Sequence, residues 1–321
     1  CFFILMCKLQ LIAAGIGIGQ DLAGVENGPE AWFDFFREHY PRLLYVPPEA
    51  SLIKNNLSSV HLHNNKDSQS FPFAVYDQLA QQVANSQRRG FLPVTLGGDH
   101  SVAMGSITGS LQAQPNMKVV WVDAHGDINT PETTLTGRVH GMPLAYLLGL
   151  WAQDRFRLRL HEKNVALFGI RDLDSGEKKI IRDLGIKAVS QSEISRRGIN
   201  KCWQEVSEHL NLANSPVHVS FDVDAMDPKL FPYTGVPVNR GLNGYECEIL
   251  FHKISQLKNL RAIDIVEFNP LVNIESGGAV DGRHLVGQFL NSLTQPSQNR
   301  AQLKRISLST TSENMAWPNL A

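Results

Sequence analysis

Three apolar runs govern what this chain can fold into. Leu92–Leu96, Lys118–Val122 and Val217–Phe221 end in clusters of Asp and His: Gly97-Gly98-Asp99-His100-Ser101, Asp123-Ala124-His125-Gly126-Asp127 and Ser220-Phe221-Asp222-Val223-Asp224. Short, continuous, β-branched runs are the pattern of strands buried on both faces of a parallel sheet. Leu9–Ile16, Asn164–Phe168, Lys187–Val189 and Leu260–Val266 read the same way. Between them lie longer amphipathic stretches: Pro29–His39, Phe73–Arg88, Ser101–Gln112, Met142–Trp151, Gly176–Asp183, Asn200–Leu212, Gly244–Leu257 and Val280–Leu293. Strands alternating with helices predict βαβ units and an α/β fold, a mostly parallel sheet covered on both faces. Ligands of such sheets bind beyond the carboxyl ends of the strands. The three clusters, far apart in sequence, are therefore expected to converge at one edge.

Convergence would gather two imidazoles, His100 and His125, and four carboxylates, Asp123, Asp127, Asp222 and Asp224. That much negative charge is not stable in one place without cations. Asp123, His125 and Asp127 fall at period two, as do Asp222 and Asp224, which puts them on one side of an extended backbone. A single Asp after a strand is usually a turn residue or a cap, and a lone His is usually structural. Three such clusters together are not explained as separate caps. The count suits two divalent ions sharing a bridging carboxylate. With no Cys in the set, Mn²⁺ is favoured over structural Zn²⁺, with Fe²⁺, Co²⁺ and Zn²⁺ as alternatives.

At 321 residues, 43% hydrophobic and 19% charged, the chain reads as one domain over 1–321 with a polar tail, 294–321, that contains Pro296 and Pro318. The polar stretch 55–70 reads as a loop. A formal net charge of -1 gives no field for nucleic acid or an anionic membrane. Cys1, Cys7, Cys202 and Cys247 show no paired spacing and are expected to be reduced thiols in a cytoplasmic protein. The apolar start, residues 1–7, lacks a basic leader and is too short to span a membrane. Met6 is a candidate initiator, which would make residues 1–5 an upstream addition. Gly15-Ile16-Gly17-Ile18-Gly19 does not have the spacing of a dinucleotide fingerprint and reads as a loop at the site edge.

The three clusters, with Asp127-Ile128-Asn129-Thr130-Pro131, Asp224-Ala225-Met226-Asp227-Pro228, Glu267-Phe268-Asn269-Pro270 and Gly24-Val25-Glu26-Asn27-Gly28-Pro29, resemble the motifs of the ureohydrolase superfamily and, within it, the arginases. The resemblance covers about Gly15 to Leu293. It implies a three-layer α/β/α fold with about eight strands and a binuclear Mn²⁺ cluster. One ion would be held by His100, Asp123, Asp127 and Asp222, the other by His125, Asp123, Asp222 and Asp224, with Asp123 and Asp222 bridging. It implies hydrolysis of L-arginine to L-ornithine and urea by a metal-bridging hydroxide, in a homo-oligomer, trimeric or hexameric. Asp127 would accept a hydrogen bond from that hydroxide, His140 would shuttle the proton that the leaving amine needs, and Glu267 would pair with the guanidinium.

Substrate identity rests on other residues. Asn129 and Thr136 match the α-carboxylate donors, Thr134 would assist through water, and Asp174 in Arg171-Asp172-Leu173-Asp174 would meet the α-amino group. Without the resemblance, that last segment reads as a turn at a helix start. His39, His161, His209 and His252 take no role. The chain departs from the pattern at Gly126, between two ligands that are kept, where a small effect is expected, and at Arg138, Tyr233, Val236 and Arg240, which are expected to ring the pocket mouth and affect substrate choice more than metal chemistry. The alternatives are an agmatinase or another guanidino or formimino hydrolase of the same fold. A non-catalytic binding relative would be expected to have lost a ligand, and none is missing.

Overall fold

A computed structural model describes residues 8–44, 53–54, 59–63, 70–153, 158–272 and 281–295. The apolar start, most of the 55–70 loop, Val280 and the tail beyond Gln295 lie outside the described residues. The strands are β1 (Leu9–Gly15), β2 (Ile53–Lys54), β3 (Leu92–Gly97), β4 (Lys118–Val122), β5 (Val165–Ile170), β6 (Lys187–Ser190), β7 (Val217–Asp222) and β8 (Leu260–Val266). They form one sheet in the order β2-β1-β3-β8-β7-β4-β5-β6, every pairing parallel. Because β2 is a two-residue edge pairing, the expected sheet of about eight strands rests on seven longer ones.

The helices are α1 (Gly28–His39), α2 (Ala74–Arg88), α3 (Ala103–Ala113), α4 (Pro143–Leu147), α5 (Ser175–Leu184), α6 (Gln191–Arg197), α7 (Ile199–Leu210), α8 (Gly244–Ser255) and α9 (Gly282–Leu293). They cover both faces. Strand alternation divides the core: in β4, Val120 and Val122 belong to the apolar cluster that holds Trp32, Val206 and Phe251, while Val119 and Trp121 belong to the one that holds Leu79, Ile107 and Tyr146. A central strand such as β4 is therefore apolar on two sides, which explains its continuous run in the sequence. Helices α2 and α3 lie close because α3 offers Gly109 at the crossing, where a Cβ would stand 2.4 Å from the Ala80 carbonyl.

Two local expectations change. The stretch Met142–Trp151 is helical only over α4, after a 3-10 turn at Val139–Gly141, and Gly149 there takes a positive φ of 73°. Helix α6 was not anticipated, although Ser190 and Glu193 form a capping box at its start.

Candidate metal centre

The strand order makes neighbours of the four strands whose carboxyl ends bear the acidic and imidazole clusters. In the run β3-β8-β7-β4, His100 follows β3, Glu267 follows β8, Asp222 ends β7 and Asp123 follows β4. All six candidate ligands meet there. His100 Nδ1 lies 2.9 Å from Asp123 Oδ2, 3.1 Å from Asp127 Oδ2 and 3.2 Å from Asp222 Oδ2. His125 Nδ1 lies 3.0 Å from Asp224 Oδ2 and 3.4 Å from Asp123 Oδ1. Two groups can each converge on an ion, His100 with Asp123 and Asp222, and Asp123 with His125 and Asp224, their donor atoms within 4.8 Å of one another. Asp123 belongs to both.

The donor set fits divalent cations. His100 Nδ1 is buried and makes no hydrogen bond, although three carboxylate oxygens surround it. Its Nε2 is engaged instead by Ser220 Oγ at 3.0 Å, which leaves the Nδ1 lone pair for a cation. Charge tells the same story. Burial, then the neighbouring Asp123, pushes Asp127 up to about 7. Burial, then Asp224 and Asp123, lifts Asp222 well above the usual range, and burial lifts Asp224 against the pull of His125. Burial would raise Asp123 too, but His100 and His125 hold it far below. Such opposed shifts mark carboxylates that need a positive partner.

Beside this cluster, His140 Nδ1 lies 3.2 Å from Glu267 Oε1, which also accepts the His100 backbone N–H at 2.8 Å. Burial would lower His140, but Glu267 wins and raises it. Gln20, buried, donates its amide to Glu267 Oε2 at 2.8 Å. Asp127 and Glu267 both adopt left-handed backbone, with φ of 49° and 66°, a strained conformation for residues with a Cβ.

The residues expected at the α-end of a substrate are partly engaged with one another. Asp174 is the N-cap of α5: Oδ1 accepts the Glu177 N–H at 3.0 Å, and Oδ2 accepts the Asn129 amide at 2.8 Å. The helix-start reading of this segment is therefore observed, and Asp174 also touches Asn129. Thr133, passed over in the sequence, donates to Asn129 Oδ1 at 2.9 Å. Thr134 Oγ1 accepts from Gly137 N at 3.0 Å, and Thr136 is exposed with Oγ1 accepting from Arg138 N at 3.3 Å.

The departures fall into place unevenly. A Cβ on Gly126 would stand 2.9 Å from both Glu177 Oε1 and Leu173 Cδ2, so the glycine makes room for Glu177. Burial, then Asp127 and Asp174, pushes Glu177 up to about 8. Arg138 is tethered through Nε to Asp21 Oδ2 at 3.0 Å, and His61 Nε2 approaches the other oxygen of Asp21 at 2.6 Å. Tyr233 packs on Phe231 and Phe268 under the Arg283 guanidinium, 4.8 Å from its ring centroid. Val236 and Arg240 are exposed, and Arg240 holds a φ of 61°.

Sequence reasoning missed Gln20 and a buried network behind His100. Ser220 Oγ donates to Asp264 Oδ2 at 3.1 Å, which also takes Ser106 Oγ at 2.7 Å and His218 Nε2 at 2.8 Å. The available signal was polar residues inside otherwise apolar strands: His218 and Ser220 in β7, Asp264 in β8.

Residues 8–290 match the model of the Arginase family. The arginase of Neurospora crassa is 36% identical over 281 residues, covering 82% of this chain and 78% of its own. Arginase-1 of Rattus norvegicus is 36% identical over 280 residues, covering 82% and 84%. Among solved structures, the Entamoeba histolytica arginase in complex with L-ornithine superposes with a TM-score of 0.76 at 27% identity, over 89% of this chain and 99% of that one.

Proposed function

This chain belongs to the arginase family, and from that premise we propose that it hydrolyses L-arginine to L-ornithine and urea at a two-manganese centre. One observation carries the reading: two donor groups, one buried and one with only His125 half-buried, share Asp123, and the His100 Nδ1 lone pair points among three carboxylates. His100, Asp123, Asp127 and Asp222 would hold one ion and His125, Asp123, Asp222 and Asp224 the other. Bound there, divalent cations lower the pKa of water and supply a nucleophile near neutral pH.

The chain's own groups do the rest. Glu267 pairs with the cationic guanidinium and orients its planar carbon, with Gln20 fixing the other carboxylate oxygen. Addition of water gives a tetrahedral carbon, and the bond to the substrate's side-chain nitrogen breaks. The leaving amine needs a proton. His140 is placed to deliver it from Nε2, because Nδ1 is held by Glu267 Oε1 and a charged imidazolium is favoured beside that carboxylate. Asp127 accepts from the attacking water. Asn129, Thr134, Thr136 and Asp174 receive the α-carboxylate and α-amino groups, exchanging some bonds they now make with one another. The same reading carries a cytoplasmic location and a trimeric or hexameric assembly, which sedimentation tests. Among the described residues no helix is long and apolar enough to cross a membrane.

The test is product release by the Mn²⁺-loaded protein from L-arginine, agmatine, guanidinobutyrate and formiminoglutamate. A site that reads the α-groups through polar partners should prefer arginine over agmatine by roughly 10⁴-fold in kcat/KM. Turnover of agmatine but not arginine overturns it.

A further inference from the structure

Arg171 spends its guanidinium on carbonyl oxygens. Nη2 donates to the carbonyls of Asp224 at 2.6 Å, Val238 at 2.7 Å and Met226 at 3.4 Å. Nη1 reaches Ala225 at 3.4 Å and Gly169 at 3.5 Å, and Nε reaches Asn239 at 3.3 Å. Among the described residues it forms no salt bridge with a carboxylate side chain. The acceptors come from three stretches: β5, the turn that carries Asp224, and the far end of the loop that contains Tyr233 and Val236. A planar cation with five N–H donors in a rigid fork can reach six carbonyls on three backbone segments, whereas an ammonium offers three donors from one point. It also puts a positive charge near Asp224, Asp123 and Asp222 without occupying their carboxylate oxygens.

We propose that Arg171 is a positioning residue for the ion held by His125, Asp123 and Asp224, fastening the Asp224 turn to the loop at the pocket rim. The inference rests on the two-ion reading above. It assigns a role to the only cation of Arg171-Asp172-Leu173-Asp174. Removing the fork leaves every ligand side chain in place but lets the backbone under Asp224 move. The His100 side of the site, braced by Ser220 and Asp264, keeps its support.

The experiment is calorimetric titration of metal-free protein with Mn²⁺ alone, for the unchanged chain, Arg171→Lys and Arg171→Ala, beside thermal melting of each in the metal-free state. In both variants one binding event should weaken by about 10- to 100-fold while the other is kept, as loss of an outer-shell support does elsewhere. The Lys variant should melt with the unchanged protein. Two unaltered events overturn the proposal. So does equal weakening of both events with a lowered melting temperature, which would make Arg171 general scaffolding. If the unchanged protein takes up fewer than two ions, the two-ion reading fails, and this proposal with it. Because the readout is metal uptake, failure of the substrate assignment leaves the result interpretable.

Discussion

Asp264→Asn isolates the buried charge behind the site. Asp264 and His218 are both fully buried, and Asp264 Oδ2 accepts from His218, Ser106 and Ser220. Hydrogen bonds to a charged acceptor are worth about 1 kcal/mol more than those to a neutral one, so three of them lose about 3 kcal/mol. The new amide also puts N–H groups where Asp264 Oδ1 now has no partner, at a cost of about 1 kcal/mol or more. Removing a buried charge can instead stabilise when a pair is replaced by apolar groups, but here His218 and two serines remain and need an acceptor. The net expectation is a loss of about 4 kcal/mol, or roughly 8 °C in melting temperature at about 2 °C per kcal/mol for a chain of this size. Acid dependence gives a second readout. Burial would raise the Asp264 carboxyl, but the His218 charge and hydrogen bond hold it below its ordinary 3.8. Its stabilisation is therefore present above 3.8 and lost as pH falls through the lower folded value. Scanning calorimetry of both metal-free proteins from neutral to acid pH should show a lower melting temperature in Asn, with the gap narrowing on acidification. An Asn protein that melts at or above the unchanged one at neutral pH refutes the reasoning.

Three further outcomes follow from the site. His140→Ala should lower kcat by 10²- to 10⁴-fold at unchanged metal content, roughly the worth of a positioned general acid; an unaltered kcat removes His140 from the mechanism. Glu177, pushed up to about 8, keeps its proton when folded, so its stabilisation is full below 4.5 and is lost as pH rises to about 8. Melting of the metal-free Glu177→Gln protein should thus fall less over that range than melting of the unchanged protein, and parallel curves would contradict the shift. Gly126→Ala drives a Cβ to 2.9 Å from Glu177 Oε1 and Leu173 Cδ2, and overpacking of this kind costs about 1–3 kcal/mol; an unchanged melting temperature would mean that the loop yields freely.

The α/β class, the parallel sheet and the six converging Asp and His residues were legible because strands buried on both faces are mostly apolar, so the Asp and His clusters at their ends stand out. Seven of the strands could be read that way, whereas β2, two residues long, carries no run to read. Helix α4 was overdrawn because hydrophobicity continues through Leu148 and Trp151 after the helix has ended at Leu147. Local chemistry also left Asp174 with two readings, cap and substrate partner, and only its two oxygens in space reveal that one serves α5 and the other Asn129.

What the sequence by itself determined is the set of groups that must share one edge, since burial period and strand-end chemistry are written locally. The tertiary structure alone decided who faces whom. It interleaves β8 and β7 between β3 and β4, bringing Glu267 to His100 and His140 and placing Asp264 behind Ser220. It sets the Arg171 fork under the Asp224 turn and aims the Gln20 amide at Glu267. The physical reason is that such contacts, between residues up to 247 positions apart, depend on strand order and loop closure, which no local periodicity encodes.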